Sequence, residues 1–292
     1  MSGSRTILIT GASGFLGRRL CDYFRRKGHA VRGLVRRTGV YPFSEPGIVL
    51  FKCDLPDEID AAAFSGAEIV IHCAYTTRLT SKEEAHRVNH LGTMKIHEMS
   101  RKAGVGRFVF ISSTGSHAGA ESYYGRSKYG LEKLMDPKRD LIIRPGLIIG
   151  PGEEGSFNRM RLQLEKLGVM PIFDGGRQIL QTIHIDDLCR AIDLAAEKGL
   201  TGTLVVAEPE GLPMREFFQK LAERMGKKCK FVSLPMGLML KILKVIEALH
   251  LPFPLSSENL LGLKQMKHMP SAADLARIGI QTKSADESLR AL

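Results

Sequence analysis

The strongest constraint on this chain sits at its start. The apolar run Thr6-Ile7-Leu8-Ile9 flows into Thr10-Gly11-Ala12-Ser13-Gly14-Phe15-Leu16-Gly17 and then into the helically spaced Arg18-Arg19-Leu20-Cys21-Asp22-Tyr23-Phe24. A strand that turns through glycines into a helix N-terminus presents backbone N–H groups and the positive end of the helix dipole, which together hold a dinucleotide pyrophosphate. In that reading Gly11 makes the tight turn, Gly14 lets the backbone approach phosphate, and Gly17 lets the helix pack on the strand, with Ser13, Phe15 and Leu16 completing the cradle. The spacing is G-x-x-G-x-x-G, and taken alone it also describes an ordinary glycine-bearing βα turn.

The strand-helix alternation recurs along the first half of the chain. β-branched runs predict strands at Thr6–Thr10, Ala30–Val35, Val49–Cys53, Ile69–His72, Phe108–Ser112 and Leu141–Arg144. Amphipathic stretches predict helices near Gly14–Lys27, Asp57–Phe64, Lys82–Ala103 and Tyr123–Met135. Such alternation is the signature of βαβ units on a parallel sheet, whose strands need crossovers of this length. The rhythm changes after Gly150, where Pro151-Gly152-Glu153-Glu154-Gly155 opens a mixed segment. A helix over Asp186–Lys198 and a strand over Thr203–Ala207 read as a return to the sheet. From Pro209 onward, helices separated by Pro235, Pro252, Pro254 and Pro270 are expected to form one wall of a substrate cleft and to be more mobile without ligand. The predicted division is 1–150 for the sheet domain and 151–292 for a smaller, mostly helical substrate lobe, with about 183–207 rejoining the sheet.

At 292 residues and 43% hydrophobic, the chain can bury one large core with a smaller one beside it. Met1-Ser2-Gly3-Ser4-Arg5 leads into the first strand without a cleavable apolar segment, and the apolar stretch from Leu234 to Leu249 is broken by Lys241, Lys244 and Glu247. A cytoplasmic protein with no membrane span is therefore expected. Five scattered cysteines (Cys21, Cys53, Cys73, Cys189 and Cys229) form no C-x-x-C pair, so reduced packing thiols and no metal site are expected. The formal charge is +11, but the basic residues are spread without interleaved aromatics, which reads as a solvated surface that attracts anionic ligands and not as a nucleic-acid face.

Tyr124 and Lys128 lie one turn apart on one predicted helix face. A tyrosine works as an acid or base near neutral pH when a neighbouring ammonium stabilises its phenolate, although such a pair is also common on ordinary helix surfaces. About ten residues earlier Phe108-Val109-Phe110-Ile111 ends in Ser112-Ser113-Thr114, placing hydroxyls at the strand end where open α/β sheets bind ligands. With these residues, the chain resembles the extended short-chain dehydrogenase/reductase family, the NAD-dependent epimerases and dehydratases. The resemblance rests on Thr10-Gly11-x-x-Gly14-x-x-Gly17, Cys53-Asp54-Leu55, His72-Cys73-Ala74, Asn89-x-x-Gly92-Thr93, Ile111-Ser112-Ser113-Thr114, Tyr124-x-x-x-Lys128, Arg144-Pro145-Gly146 with Gly150-Pro151-Gly152, and His184-x-Asp186-Asp187-Leu188, in order over about residues 6 to 210.

The resemblance implies a Rossmann-type doubly wound parallel sheet and an NAD(P)-dependent enzyme. It implies Tyr124 as acid/base, Lys128 on the nicotinamide ribose and lowering the tyrosine pKa, and Ser113, or failing it Thr114, on the reacting oxygen. Asp54 and Leu55 would border the adenine, Cys73, Ala74 and Tyr75 the cofactor phosphates and ribose, and Pro145 the nicotinamide edge. Asn89 either lines the site or bridges strand backbones. Asp186 is expected as a helix N-cap and His184 as a hydrogen-bonded, partly buried residue.

The second strand ends at Val35, where an acidic residue would bind the ribose of NAD, and Arg36 and Arg37 come next. Guanidinium groups there suit a 2′-phosphate, so NADP is expected ahead of NAD. A similar ending in plant-type dihydroflavonol reductases is associated with NADP; two solvated surface arginines are the other reading.

Nucleotide-sugar members usually carry an arginine shortly before the His-x-Asp stretch, and this chain has Leu180. UDP is therefore expected to bind weakly. The expected substrate is a small molecule, a secondary alcohol or ketone, with a nucleotide-sugar epimerase or dehydratase as the alternative and a homodimer left open. Gln181-Thr182-Ile183-His184-Ile185-Asp186-Asp187 and Leu251-Pro252-Phe253-Pro254-Leu255 also resemble bacterial relatives of a complex I accessory subunit. That leaves a cofactor-binding scaffold as a third reading, against which the Ser/Tyr/Lys set argues. Met236, Met239, Met266 and Met269 are read as core packing or as an apolar pocket lining.

Overall fold

The computed structural model describes residues 3–37, 39, 43–77, 81–152, 154–249, 256–264 and 266–292. Glu153 and the segment Leu251-Pro252-Phe253-Pro254-Leu255 lie outside the described residues. The chain forms two compact units, one built from Met1–Ser112, Gly130–Ile143 and Cys189–Leu204, the other from Ser113–Tyr129, Arg144–Leu188 and Val205–Leu292.

An eight-stranded sheet runs in the order Gly202–Val206, Leu141–Pro145, Arg107–Ile111, Ile69–His72, Thr6–Thr10, Ala30–Val35, Val49–Asp54 and Glu58–Ile59. The pairs from Leu141–Pro145 through Val49–Asp54 are parallel. Strands such as Ile69–His72, buried along their whole length, run Ile-Val-Ile before the histidine because helices cover both faces of a parallel sheet. The first helix, Phe15–Arg26, buries Leu16, Leu20 and Phe24 at four-residue spacing and ends on Arg25 and Arg26, whose charges favour the negative end of its dipole. Leu8, Leu34, Val70, Phe108, Phe110 and Ile142 lie in one buried cluster of this unit.

The predicted helix over Asp57–Phe64 is not there. Glu58–Ile59 turns back to pair antiparallel with Cys53 and Asp54, and a short 3₁₀ turn spans Ala61–Phe64. The Asp60 carboxylate accepts from the Ala62 N–H at 3.0 Å, a local bond that starts a fresh turn and competes with a continuous helix. The long helix predicted after Ser81 is interrupted by a π-helical turn, His86–Leu91, which carries Asn89.

A buried acid ties the last helical turns of Gly92–Lys102 to the segment before Leu141–Pro145. Asp140 is fully buried and accepts from Arg101 Nη2 at 2.6 Å, His97 Nε2 at 3.0 Å and the Asp136 N–H at 2.8 Å. Burial alone would raise its carboxyl, but these donors outweigh it and hold the group below the usual carboxylate range. A depressed folded value contributes stability above the unfolded value of about 3.9, lost as pH falls through the folded one. Asp140→Asn is therefore expected to cost about 3 kcal/mol in urea unfolding at neutral pH, the low end because Arg101 and His97 keep some solvent. The difference from wild type should shrink in acid; a constant difference down to strongly acid pH would show that the charge is irrelevant.

The second unit has its own cores. Phe157, Phe217 and Phe218 pack edge to face, with Leu164, Met170, Leu180 and Leu221 in the same cluster. Phe173, Met236, Met239, Leu243 and Leu260 form another. Met236 and Met239 are thus core residues, and Met266 packs against the first of these clusters. Short parallel pairs join Thr182–His184 to Leu147–Ile149 and Lys230–Leu234 to Val169–Phe173.

Candidate active site

In the first unit the expected cofactor residues gather at the carboxyl end of the central strands. Gly11 adopts φ +63°, and a Cβ there would lie 2.9 Å from the backbone of Ala74. A Cβ on Gly17 would lie 2.1 Å from the Gly11 carbonyl oxygen, so the helix approaches the strand as only glycine permits. Gly14 is the exposed N-cap of Phe15–Arg26; it has no side-chain cap, and the first turn holds no acidic residue. The N–H groups of this turn, with Ser13 beside them, therefore present a positive, uncovered terminus that fits an anionic pyrophosphate.

Thr10 is in register with Leu34 of the neighbouring strand, so Arg36 and Arg37, both exposed, emerge beside this turn. On the other side Ile7–Thr10 pairs with Ile69–His72, which brings Cys73, Ala74 and Tyr75, all half-buried, to the same edge. Asp54 is exposed at the end of Val49–Asp54, and Leu55 is buried, with the Gly92 backbone close enough that a Cβ there would reach its Cβ at 2.9 Å.

A hydrogen-bond chain that no sequence motif announces braces this edge. Ala74 N–H donates to Thr10 Oγ1 at 3.1 Å, and Thr10 Oγ1 lies 2.8 Å from His72 Nδ1. His72 Nε2 lies 2.9 Å from Thr93 Oγ1, which donates to the Asn89 carbonyl at 2.6 Å. Because the single Thr93 hydroxyl proton goes to the Asn89 carbonyl, His72 Nε2 carries a hydrogen and donates to Thr93 Oγ1. Asn89, buried, exchanges two bonds with the Thr76 backbone at 2.8 and 2.9 Å, which fastens the segment after Ile69–His72 to the turn His86–Leu91. Only the pairing of strands far apart in sequence reveals this chain.

In the second unit, Ser113 Oγ accepts from the Gly115 N–H at 3.1 Å and its hydroxyl is bonded to the Tyr124 phenol. The phenol lowered by Lys128 that was expected is not found: burial raises Tyr124 above its ordinary value, and the Ser113 bond acts against that rise. Lys128 is buried and lies one turn further along the same helix, Tyr123–Glu132. The Thr114 N–H donates to the Pro145 carbonyl at 3.1 Å, so Pro145 sits beside the Ser113-Thr114 pair. Ser113, Tyr124, Lys128 and Pro145 belong to this unit, and the remaining expected site residues to the first.

Residues with no part in the sequence expectations hold Tyr124 in place. Gly125 packs so tightly that a Cβ would lie 2.5 Å from the Gly115 carbonyl, and its N–H donates to Ser122 Oγ at 3.2 Å, a serine cap. Glu258 accepts from the Tyr123 N–H at 2.5 Å, placing a carboxylate at the positive end of that helix, and Lys264 pairs with Glu121 at 3.1 Å. The serine cap was legible as Ser122 three residues before Gly125; the distant Glu258 had no local signal.

The expected N-cap is corrected. Asp186 already lies inside Ile185–Glu197, and His184, buried, accepts the Asp186 N–H through Nδ1 at 3.3 Å. The imidazole is the acceptor because the preceding strand ends on it. Leu180 is buried in the Phe157 cluster. Among the described residues, no cluster of His, Cys, Asp or Glu side chains is placed to hold a metal, and no helix is long and apolar enough to cross a membrane.

Comparison with known proteins places the family and the fold. The chain is 31% identical over 237 residues to the ceramide reductase of Caulobacter vibrioides, covering 78% of this chain and 73% of that protein. It is 28% identical over 252 residues to the 2-alkyl-3-oxoalkanoate reductase of Stenotrophomonas maltophilia, covering 75% and 76%. The fold matches the crystal structure of gox2253 with a TM-score of 0.78 at 21% identity over 98% of this chain and 96% of that one. It matches a UDP-glucose 4-epimerase of Thermotoga maritima with a TM-score of 0.75 at 20% identity over 98% and 96%. Residues 7–207 match the NAD dependent epimerase/dehydratase family. With the glycine turn, the parallel sheet and these reductase relatives together, the chain is an NAD(P)-dependent enzyme and belongs to the NAD dependent epimerase/dehydratase family.

Proposed function

We propose that this enzyme is an NADP-dependent reductase that converts the ketone of a long-chain, apolar substrate into a secondary alcohol. The observation that carries the reading is the hydrogen-bonded Ser113–Tyr124 pair with buried Lys128 on the same helix face. When bound, the reduced nicotinamide supplies the hydride to the carbonyl carbon. Tyr124 delivers its phenolic proton to the carbonyl oxygen. Ser113, with its oxygen already engaged by the Gly115 N–H, donates to that same oxygen and orients it. Lys128 favours the phenolate left behind and holds the nicotinamide ribose. A phenol raised by burial stays protonated at neutral pH, which suits proton donation and hence the reductive direction.

The helix N-terminus at Gly14 receives the pyrophosphate, and Arg36 and Arg37 the 2′-phosphate. For the substrate, Leu180 lies in an apolar cluster where nucleotide-sugar members use an arginine. The relatives named a ceramide reductase and a 2-alkyl-3-oxoalkanoate reductase support a ketone on a long alkyl chain.

Purified enzyme should oxidise NADPH in the presence of a 2-alkyl-3-oxoalkanoate and leave UDP-glucose unchanged; interconversion of the sugar nucleotide without net NADPH loss would reject the reading. By fluorescence titration NADPH should bind more tightly than NADH. Arg36→Ala should erase about tenfold to a hundredfold of that preference, the worth of a charge-assisted phosphate bond. Equal affinities in wild type, unmoved by the substitution, would return both arginines to the role of solvated surface.

A further inference from the structure

The helix Met236–Ala248 of the second unit has two apolar faces. Met236, Met239 and Leu243 are buried against Phe173 and Leu260. Leu238, Ile242 and Val245, with Leu249 at the C-cap, are 53%, 41%, 59% and 63% exposed. With 3.6 residues per turn these four fall within a band about 60° wide, a continuous stripe unlike the scattered apolar residues of an ordinary surface. Lys241 and Lys244 are exposed on the flank next to Val245. Glu247, the acid in this helix sequence, lies away from the stripe, and its carboxylate accepts from the Ser257 N–H and Oγ at 2.6 and 2.7 Å. The stripe is therefore bordered by cations along one flank, on a chain whose formal charge is +11.

We infer that this face docks on an anionic lipid bilayer. The aliphatic side chains enter the acyl boundary while the two ammonium groups meet lipid phosphates, as in helices that lie in the membrane plane. Thirteen residues rise about 20 Å, less than the hydrocarbon core of about 30 Å, so the helix lies on the surface and does not span it. Charge complementarity selects an anionic bilayer over a second copy of the chain, since a second copy offers this face the same lysines and no acidic partner for them. The inference stands on this helix alone and does not depend on the reaction proposed above.

The test is sedimentation of the full-length protein with vesicles of phosphatidylcholine alone and of an equimolar mixture with phosphatidylglycerol. Binding is expected to the mixed vesicles and should weaken as salt rises. The variant combining Leu238→Ser, Ile242→Ser, Val245→Ser and Leu249→Ser should lose it, with a thermal melt run alongside to show that the fold is kept. The variant combining Lys241→Gln and Lys244→Gln should bind mixed vesicles about thirtyfold more weakly, from about fivefold for each cation near an anionic surface. This second variant decides the matter if the first does not fold. Failure of wild type to bind mixed vesicles overturns the inference. So does a wild-type dimer that the serine variant converts to monomer with no vesicle binding in either form, which would make the stripe a contact between copies.

Discussion

Tyr124→Phe is expected to cut ketone turnover by about 10²–10⁴-fold, the usual worth of a positioned proton donor, while leaving cofactor affinity unchanged. The ring stays and only the hydroxyl is lost, so the packing of the helix Tyr123–Glu132 is preserved. Lys128→Met should impair both turnover and cofactor binding, because the proposed ammonium serves the ribose as well as the phenolate. The pH dependence carries a sign. The folded phenol lies above its ordinary value of about 10, so reduction should proceed evenly through neutral pH and fall only in strong alkali as the proton donor is lost. Ser113→Ala removes the bond that opposes this rise and should move the alkaline limb further up. The measurement is kcat against pH for wild type and the three variants. A Tyr124→Phe enzyme that keeps most of its turnover would remove Tyr124 from the chemistry.

The other large effect is expected at Gly17. A methyl group there would stand 2.1 Å from the Gly11 carbonyl oxygen and 2.8 Å from its carbon, and backbone on both sides has to move. Gly17→Ala should cost about 1–3 kcal/mol of stability, the range for forcing an extra methylene into a packed site. It should also displace the N–H groups of the first turn, so NADPH affinity should fall more than tenfold, since a loss of about 1.4 kcal/mol is already tenfold. The same change at Gly28, which has no atom within 4 Å of its Cβ position, should leave cofactor titration unmoved. Gly28 has φ +85°, so Gly28→Ala is strained and serves as the control for a general loss of stability. Equal losses of affinity in both variants would show that the turn does not hold the cofactor.

The glycine turn, the Tyr124–Lys128 spacing and the Ser112-Ser113-Thr114 strand end were legible as local placement, because they arise from helix and strand periods of a few residues. The central strands were legible for the same reason, because a sheet buried on both faces demands apolar runs. The segment after Pro56 reads as a helix in sequence but does not form one because the Asp60 carboxylate takes the Ala62 N–H, and propensity summed over a window does not register that competition. Tertiary structure alone decided the rest. Glu258 caps the Tyr124 helix from 135 residues away, and His72 joins Thr10 to Thr93 across distant segments of the chain. Asp140 draws His97 and Arg101 to one carboxylate, and Leu238, Ile242, Val245 and Leu249 are exposed on the same helix that buries Met236 and Met239. Burial and hydrogen bonding between distant segments depend on which surfaces meet, and a local pattern carries no record of that.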